Sequence, residues 1–85
     1  MGKDEILKKL VEYFEKKGIK VDLQKDINKD YLWEGWIDSF DLMNFISYIE
    51  TEFGITLEPE NTESFNFRTL EGLAQIIEQK LKGEK

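Results

Sequence analysis

The stretch Gly35-Trp36-Ile37-Asp38-Ser39-Phe40-Asp41-Leu42 holds the residues best placed to do chemistry. It reads as a tight loop ending in Asp-Ser, with an apolar pattern of helical period directly behind it. Asp38 and Ser39 both suit a helix start, where a side-chain oxygen accepts from a free backbone N–H. A hydroxyl at such a start lies at the surface, beside backbone N–H groups and the positive end of the helix dipole, which favour an anion. Ser39 is therefore expected to carry a phosphate-linked group. The alternative is a plain capping serine, because serine is common at helix starts.

Other chemistries have few candidates. The chain has no cysteine and no histidine. Disulfides, thiolate or imidazole metal sites, a cysteine nucleophile and a serine–histidine relay are all excluded. Asp38 and Asp41 form the best acid–base pair, but they share an exposed helix start with no pocket to perturb either. An enzyme is not expected. Asp26, Asn28 and Asp30 imitate the opening of a calcium loop. Tyr31 at its glycine position and Ile37 at its bidentate glutamate position break the imitation, so these residues read as turn formers.

The elements that must position Ser39 fit a short chain. Its 85 residues, 40% hydrophobic and 13% aromatic, suit one domain over 1–85 with a real core. A chain of this size buries roughly 60% of its unfolded surface, which disfavours a deep cleft. No apolar run approaches the ~20 residues of a membrane span. Met1 to Glu5 lacks the apolar segment of a signal peptide, so a cytoplasmic location is the default expectation.

Net charge is −6, and its distribution matters more. Residues 30–67 hold nine acids and neither lysine nor arginine, while all twelve bases lie outside. A field of one sign repels nucleic acid and anionic membranes and steers basic protein partners. Acidity needed only for solubility would mix the signs.

Four helical segments are predicted. The first spans about Asp4 to Lys17, with Ile6, Leu7, Leu10, Val11 and Phe14 on one stripe and Gly18 and Ile19 forming its stop. A long connection of nineteen residues follows, Ile19 to Ile37. Its apolar residues Ile19, Val21, Leu23, Ile27, Leu32 and Ile37 are expected to cover the bundle. Trp33 and Trp36 flank Glu34-Gly35, and at least one should cap the core. The second main helix spans about Ser39 to Phe53, burying Leu42, Phe45, Ile46, Ile49 and Phe53, with Gly54 and Ile55 closing it. Thr56 to Arg68 is a second connection, with a short helical turn within Glu60 to Phe65 and with Phe65 and Phe67 inserted into the core. Thr69 caps the last helix, Leu70 to about Leu81, with Leu70, Leu73, Ala74, Ile77 and Leu81 inward and Gly83 at its end. The fold expected is all-α: a small bundle of three main helices plus one short one.

Met43 and Tyr48 fall off the buried stripe of the second helix, among Asp41, Asn44, Glu50 and Glu52. Such a face suits transient docking, with charge setting approach and a small apolar contact adding affinity.

These residues carry a family resemblance. Gly35-Trp36-Ile37-Asp38-Ser39-Phe40, then Leu42-Met43-Asn44-Phe45-Ile46 and Ile49-Glu50-Thr51-Glu52-Phe53-Gly54-Ile55, resemble an acyl carrier protein. Phe67-Arg68-Thr69-Leu70-Glu71-Gly72-Leu73-Ala74 is similar to that family's approach to its last helix. The resemblance implies a four-helix bundle and 4′-phosphopantetheine on Ser39, added from coenzyme A by a phosphopantetheinyl transferase. It implies that Asp38 helps orient the serine or bind the transferase's metal. The attached thiol would carry an acyl or aminoacyl thioester in fatty-acid or secondary-metabolite biosynthesis. Loading ligases or synthases with basic docking patches would be its partners, meeting Asp41, Met43, Asn44, Glu50 and Glu52. The carrier itself would be a non-catalytic monomer. Thioester chemistry needs a thiol, and this chain has none of its own.

Some positions depart from the pattern. Asn44 stands where fatty-acid carriers often have an acid, Phe40 where leucine often follows the serine, and Thr51 where another acid is frequent. Trp36-Ile37 does not match the Gly-Gly pair of peptidyl carriers. A specialised stand-alone carrier, for secondary metabolism, D-alanylation or a dedicated acyl pathway, is as compatible as a housekeeping one. The resemblance implies that a chain can be sheltered between helices, with Phe45, Ile46, Phe53, Ile55 and Phe65 lining the cavity; the reading favoured by the residues themselves is plain core. The competing function is an unmodified acidic helical interaction domain of the same fold.

Overall fold

Apolar residues at spacings of three and four build α1, Lys3–Glu15, in the computed structural model, which describes residues 2–83. Met1, Glu84 and Lys85, which the sequence places in the same domain, lie outside the described residues. Ile6, Leu7, Leu10, Val11 and Phe14 of α1 are buried. The helix stops at Gly18, whose φ of 85° suits a residue without Cβ, and the Ile19 N–H returns to the Phe14 carbonyl at 3.1 Å.

Helix α2 runs Ser39–Phe53 and ends the same way, with Gly54 left-handed and the Ile55 N–H on the Glu50 carbonyl. Phe45, Ile49 and Phe53 are buried, and Leu42 and Ile46 pack half-buried beside them. Helix α3, Pro59–Thr62, opens on a proline with Glu58 and Asn61 capping each other. A 3-10 turn follows at Phe65–Arg68. Helix α4, Leu70–Leu81, is capped by Thr69, whose hydroxyl accepts from the Gly72 N–H at 3.0 Å. Gly72 lets the 3-10 turn sit directly on α4: a Cβ there would stand 2.8 Å from Asn66 Cα. Among the described residues there is no strand; one isolated bridge joins Asp30 to Thr69. Among the described residues no helix is long and apolar enough to cross a membrane.

The long connection is stitched to the C-terminal elements rather than hanging free. Glu71 N–H donates to the Ile27 carbonyl, Tyr31 N–H to the Arg68 carbonyl, and Arg68 Nε meets Asp30 Oδ2 at 2.5 Å. Asp30 and Asp26 act as turn formers. Asp30 Oδ1 accepts from the N–H groups of Leu32 and Trp33, and Asp26 accepts from Asp22 N–H. Asn28 is exposed in the same run of turns. Tyr31 is fully buried at the centre, its ring 5.7 Å from Phe14 and 5.5 Å from Phe45, its hydroxyl donating to the Phe67 carbonyl.

Three expected core residues are not in it. Leu23 is exposed because the turn at Asp22, whose carboxylate holds Gln24 N–H, faces it outward. Phe65 is 83% exposed while Phe67 is buried. Two residues apart in a helix of three per turn, they cannot both face inward. Leu81 ends α4 beyond the packed turns and stays partly exposed, whereas Ile76 is buried beside Ile77. Tyr48, expected on the docking face, packs against the core and donates to the Lys9 carbonyl at 2.8 Å. Of the two tryptophans, Trp36 packs edge-on against Phe14 and Trp33 is exposed.

Candidate functional site

The start of α2 is built by the three residues before it. Gly35 has a φ of 77°, which turns the chain back so that Trp36 N–H reaches the Tyr31 carbonyl at 3.0 Å. Ile37 is buried and anchors the backbone. Asp38 then stands in an extended conformation as the N-cap, its carboxylate accepting from Asp41 N–H at 2.7 Å. The cap is therefore Asp38, and Ser39 occupies the first helical position, exposed.

Asp38→Ala is expected to cost about 1 kcal/mol, the usual loss for an N-cap. In a domain of this size that lowers the thermal midpoint by roughly 4–8 °C. A melting curve followed by circular dichroism checks it, and an unchanged midpoint would show that the cap carries no stability.

Ser39, Phe40, Met43 and Asn44 line one open depression. Phe40 is 88% exposed and Met43 69%, so the serine shares this depression with two uncovered apolar side chains. A second open cleft, on the Trp36 side of Phe40, has Lys17, Asp38 and Asp41 among its walls. Asp41 is held from several sides. Lys17 Nζ lies 2.7 Å from one carboxylate oxygen, while the Tyr13 hydroxyl, at 3.1 Å, and the Asn44 amide donate to the other. Burial opposes its ionisation, but these partners outweigh burial and hold its carboxyl below the usual range. Burial first, and then the bond to Asp41, push the Tyr13 phenol up to about 12. The Lys17 ammonium also lies over the Tyr13 ring.

The fold brings Asp38, Ser39, Asp41, Met43 and Asn44 together at one end of α2. Glu50 and Glu52 lie further along. Glu50 accepts from Leu57 N–H at 2.8 Å, and Glu52 pairs with Lys9 at 2.8 Å. The acidic segment is thus partly answered by Lys9 of α1 and by Lys17 just after that helix. Sequence reasoning passed over Phe40, Tyr13 and Lys17. Phe40 was findable, since it falls off the stripe set by Leu42, Phe45 and Ile49. The reach of Tyr13 and Lys17 to Asp41 is a tertiary contact with no local signal.

The structure is a small helical bundle that holds a serine out at the start of its second main helix. Residues 8–77 match the family model described as phosphopantetheine attachment site, and the chain belongs to that family. Members are non-catalytic carriers with covalently attached 4′-phosphopantetheine, which is the cofactor of this protein. No curated protein matches the chain.

Proposed function

We propose that Ser39 is the attachment residue and that the protein carries an acyl or aminoacyl group as a thioester. One observation carries this reading: Ser39 is exposed at the first position of α2 while its neighbour Asp38 supplies the cap. The hydroxyl is left to a reacting enzyme, and a phosphodiester formed on it meets the positive end of α2. When bound, the prosthetic group supplies the thiol that a chain without cysteine lacks.

The partners fit the Ser39 end of α2 and the face that runs from it along the helix. A phosphopantetheinyl transferase uses coenzyme A as donor, and loading ligases or synthases with basic patches dock on Asp41, Met43, Asn44, Glu50 and Glu52. Asp41 and Glu52 already pair with Lys17 and Lys9, so a docking base displaces a lysine of the chain rather than meeting a bare carboxylate. Desolvation and that exchange keep such contacts weak and favour quick release. The protein works as a cytoplasmic monomer, in a specialised pathway as readily as in fatty-acid synthesis.

Incubating the purified protein with coenzyme A, magnesium and a broad-specificity transferase is expected to add the mass of one phosphopantetheine, mapped to Ser39 by fragmentation. An unchanged mass with several transferases, or a group mapped elsewhere, would overturn the assignment.

A further inference from the structure

We infer that the cargo is a short or polar acyl group carried outside the bundle, and not a long alkyl chain stored within it. This rests on attachment at Ser39. The space inward of α2 is already filled. Phe14, Tyr31, Phe45 and Phe67 are each at most 1% exposed and come from α1, the long connection, α2 and the 3-10 turn. Their rings touch: Phe14 to Phe45 at 5.1 Å, Tyr31 to Phe45 at 5.5 Å, Tyr31 to Phe67 at 6.3 Å. An interior packed this closely resists even a few added methylenes.

The wall opposite α2 is also tied down. Tyr31 donates its hydroxyl to the Phe67 carbonyl and its N–H to the Arg68 carbonyl, and Asp30 holds the Arg68 side chain. For a chain to slide between α2 and this wall, Phe45 must part from Tyr31, and Tyr31 is bound to the turn that rests on α4. Phe65, which would have lined an inner cavity, faces solvent.

What lies open is outside. The depression containing Ser39 is bounded by Phe40 and Met43, and the adjoining cleft mixes Trp36 and Ile19 with Lys17, Asp38 and Asp41. A short acyl group fits beside the two apolar side chains, and a polar one finds charged neighbours. A long alkyl chain laid there would stay partly in water or strip water from the charges.

The test attaches acyl-phosphopantetheine groups directly, using butyryl-, β-alanyl- and decanoyl-coenzyme A with a transferase that releases 3′,5′-ADP. Tyr31, Phe45 and Ile49 are then followed by NMR, and thioester cleavage by hydroxylamine is timed. All three cargoes are expected to leave the core resonances in place, and each to react with hydroxylamine as fast as the corresponding free acyl-coenzyme A. Decanoyl-dependent shifts of Tyr31, Phe45 or Ile49, or a decanoyl thioester protected from hydroxylamine, would overturn the inference and leave attachment standing. Absence of loading, or loading away from Ser39, would overturn attachment and the inference together.

Discussion

Replacing Ser39 with alanine is expected to abolish attachment completely and leave the fold intact. The separation is clean because the residue does nothing for the bundle. It is exposed, and the helix start is secured by Asp38 through Asp41 N–H. Alanine at the first helical position is, if anything, better by a few tenths of a kcal/mol, about the difference in helix propensity. The loss of loading is therefore chemical and not structural. Intact mass after treatment with transferase and coenzyme A reads the first part, and thermal unfolding reads the second. A variant that still gains the full mass would move the site elsewhere, with the exposed Ser47 of α2 the nearest other hydroxyl on the helix.

Tyr31→Ala is expected to remove most of the stability of the protein. Truncating a fully buried aromatic costs roughly 3–5 kcal/mol, and the Phe67 carbonyl left without its donor adds about 1–3 kcal/mol. A chain of 85 residues has roughly 4–13 kcal/mol in total, at about 0.05–0.15 kcal/mol per residue. At the middle of both ranges the variant loses about 6 of about 8.5 kcal/mol, which is most of what holds it folded. Tyr31→Phe keeps the ring contacts with Phe14 and Phe45 and loses only the hydroxyl bond, so it should cost about 1–3 kcal/mol. Urea unfolding of both variants separates ring from hydroxyl. Equal losses would mean that the aromatic packing around Tyr31 contributes little, contrary to its burial.

Tyr31 also marks where local pattern stops being informative. It follows the turn-forming Asn28-Lys29-Asp30, and no period around it announces burial. Its place is decided by pairing with Phe67 and Arg68, more than thirty residues away. Phe65 failed for a related reason: two aromatics near each other looked equally apolar until the 3-10 geometry gave the interior to Phe67. By contrast the bounds of α2 and the centre of its buried stripe were legible. Asp38, Gly54 and the Phe45–Ile49–Phe53 stripe are signals that act within a turn or two, and the bounds Ser39–Phe53 follow from them. The same locality made Asp38 and Ser39 legible as a pair. Which of them caps was not, because both residue types suit the position, and only the bond to Asp41 N–H separates them.

Charge shows the same division. Along the chain the acids of residues 30–67 stand apart from every base. In space Lys17, Lys9 and Arg68 reach in from either side to Asp41, Glu52 and Asp30. A one-dimensional count overstates how much negative charge the α2 face offers to an approaching partner.

The bonds from Ile27 and Tyr31 to Glu71 and Arg68 have a consequence during synthesis. A ribosome makes the serine before it makes Arg68, and until Arg68 and Glu71 are available the segment leading to α2 has Phe14 of α1 to pack against but lacks these bonds. A half-made chain shows the hydroxyl on an unfinished platform. The order of manufacture thus defers a fully fastened start of α2 until Arg68 and Glu71 are in place.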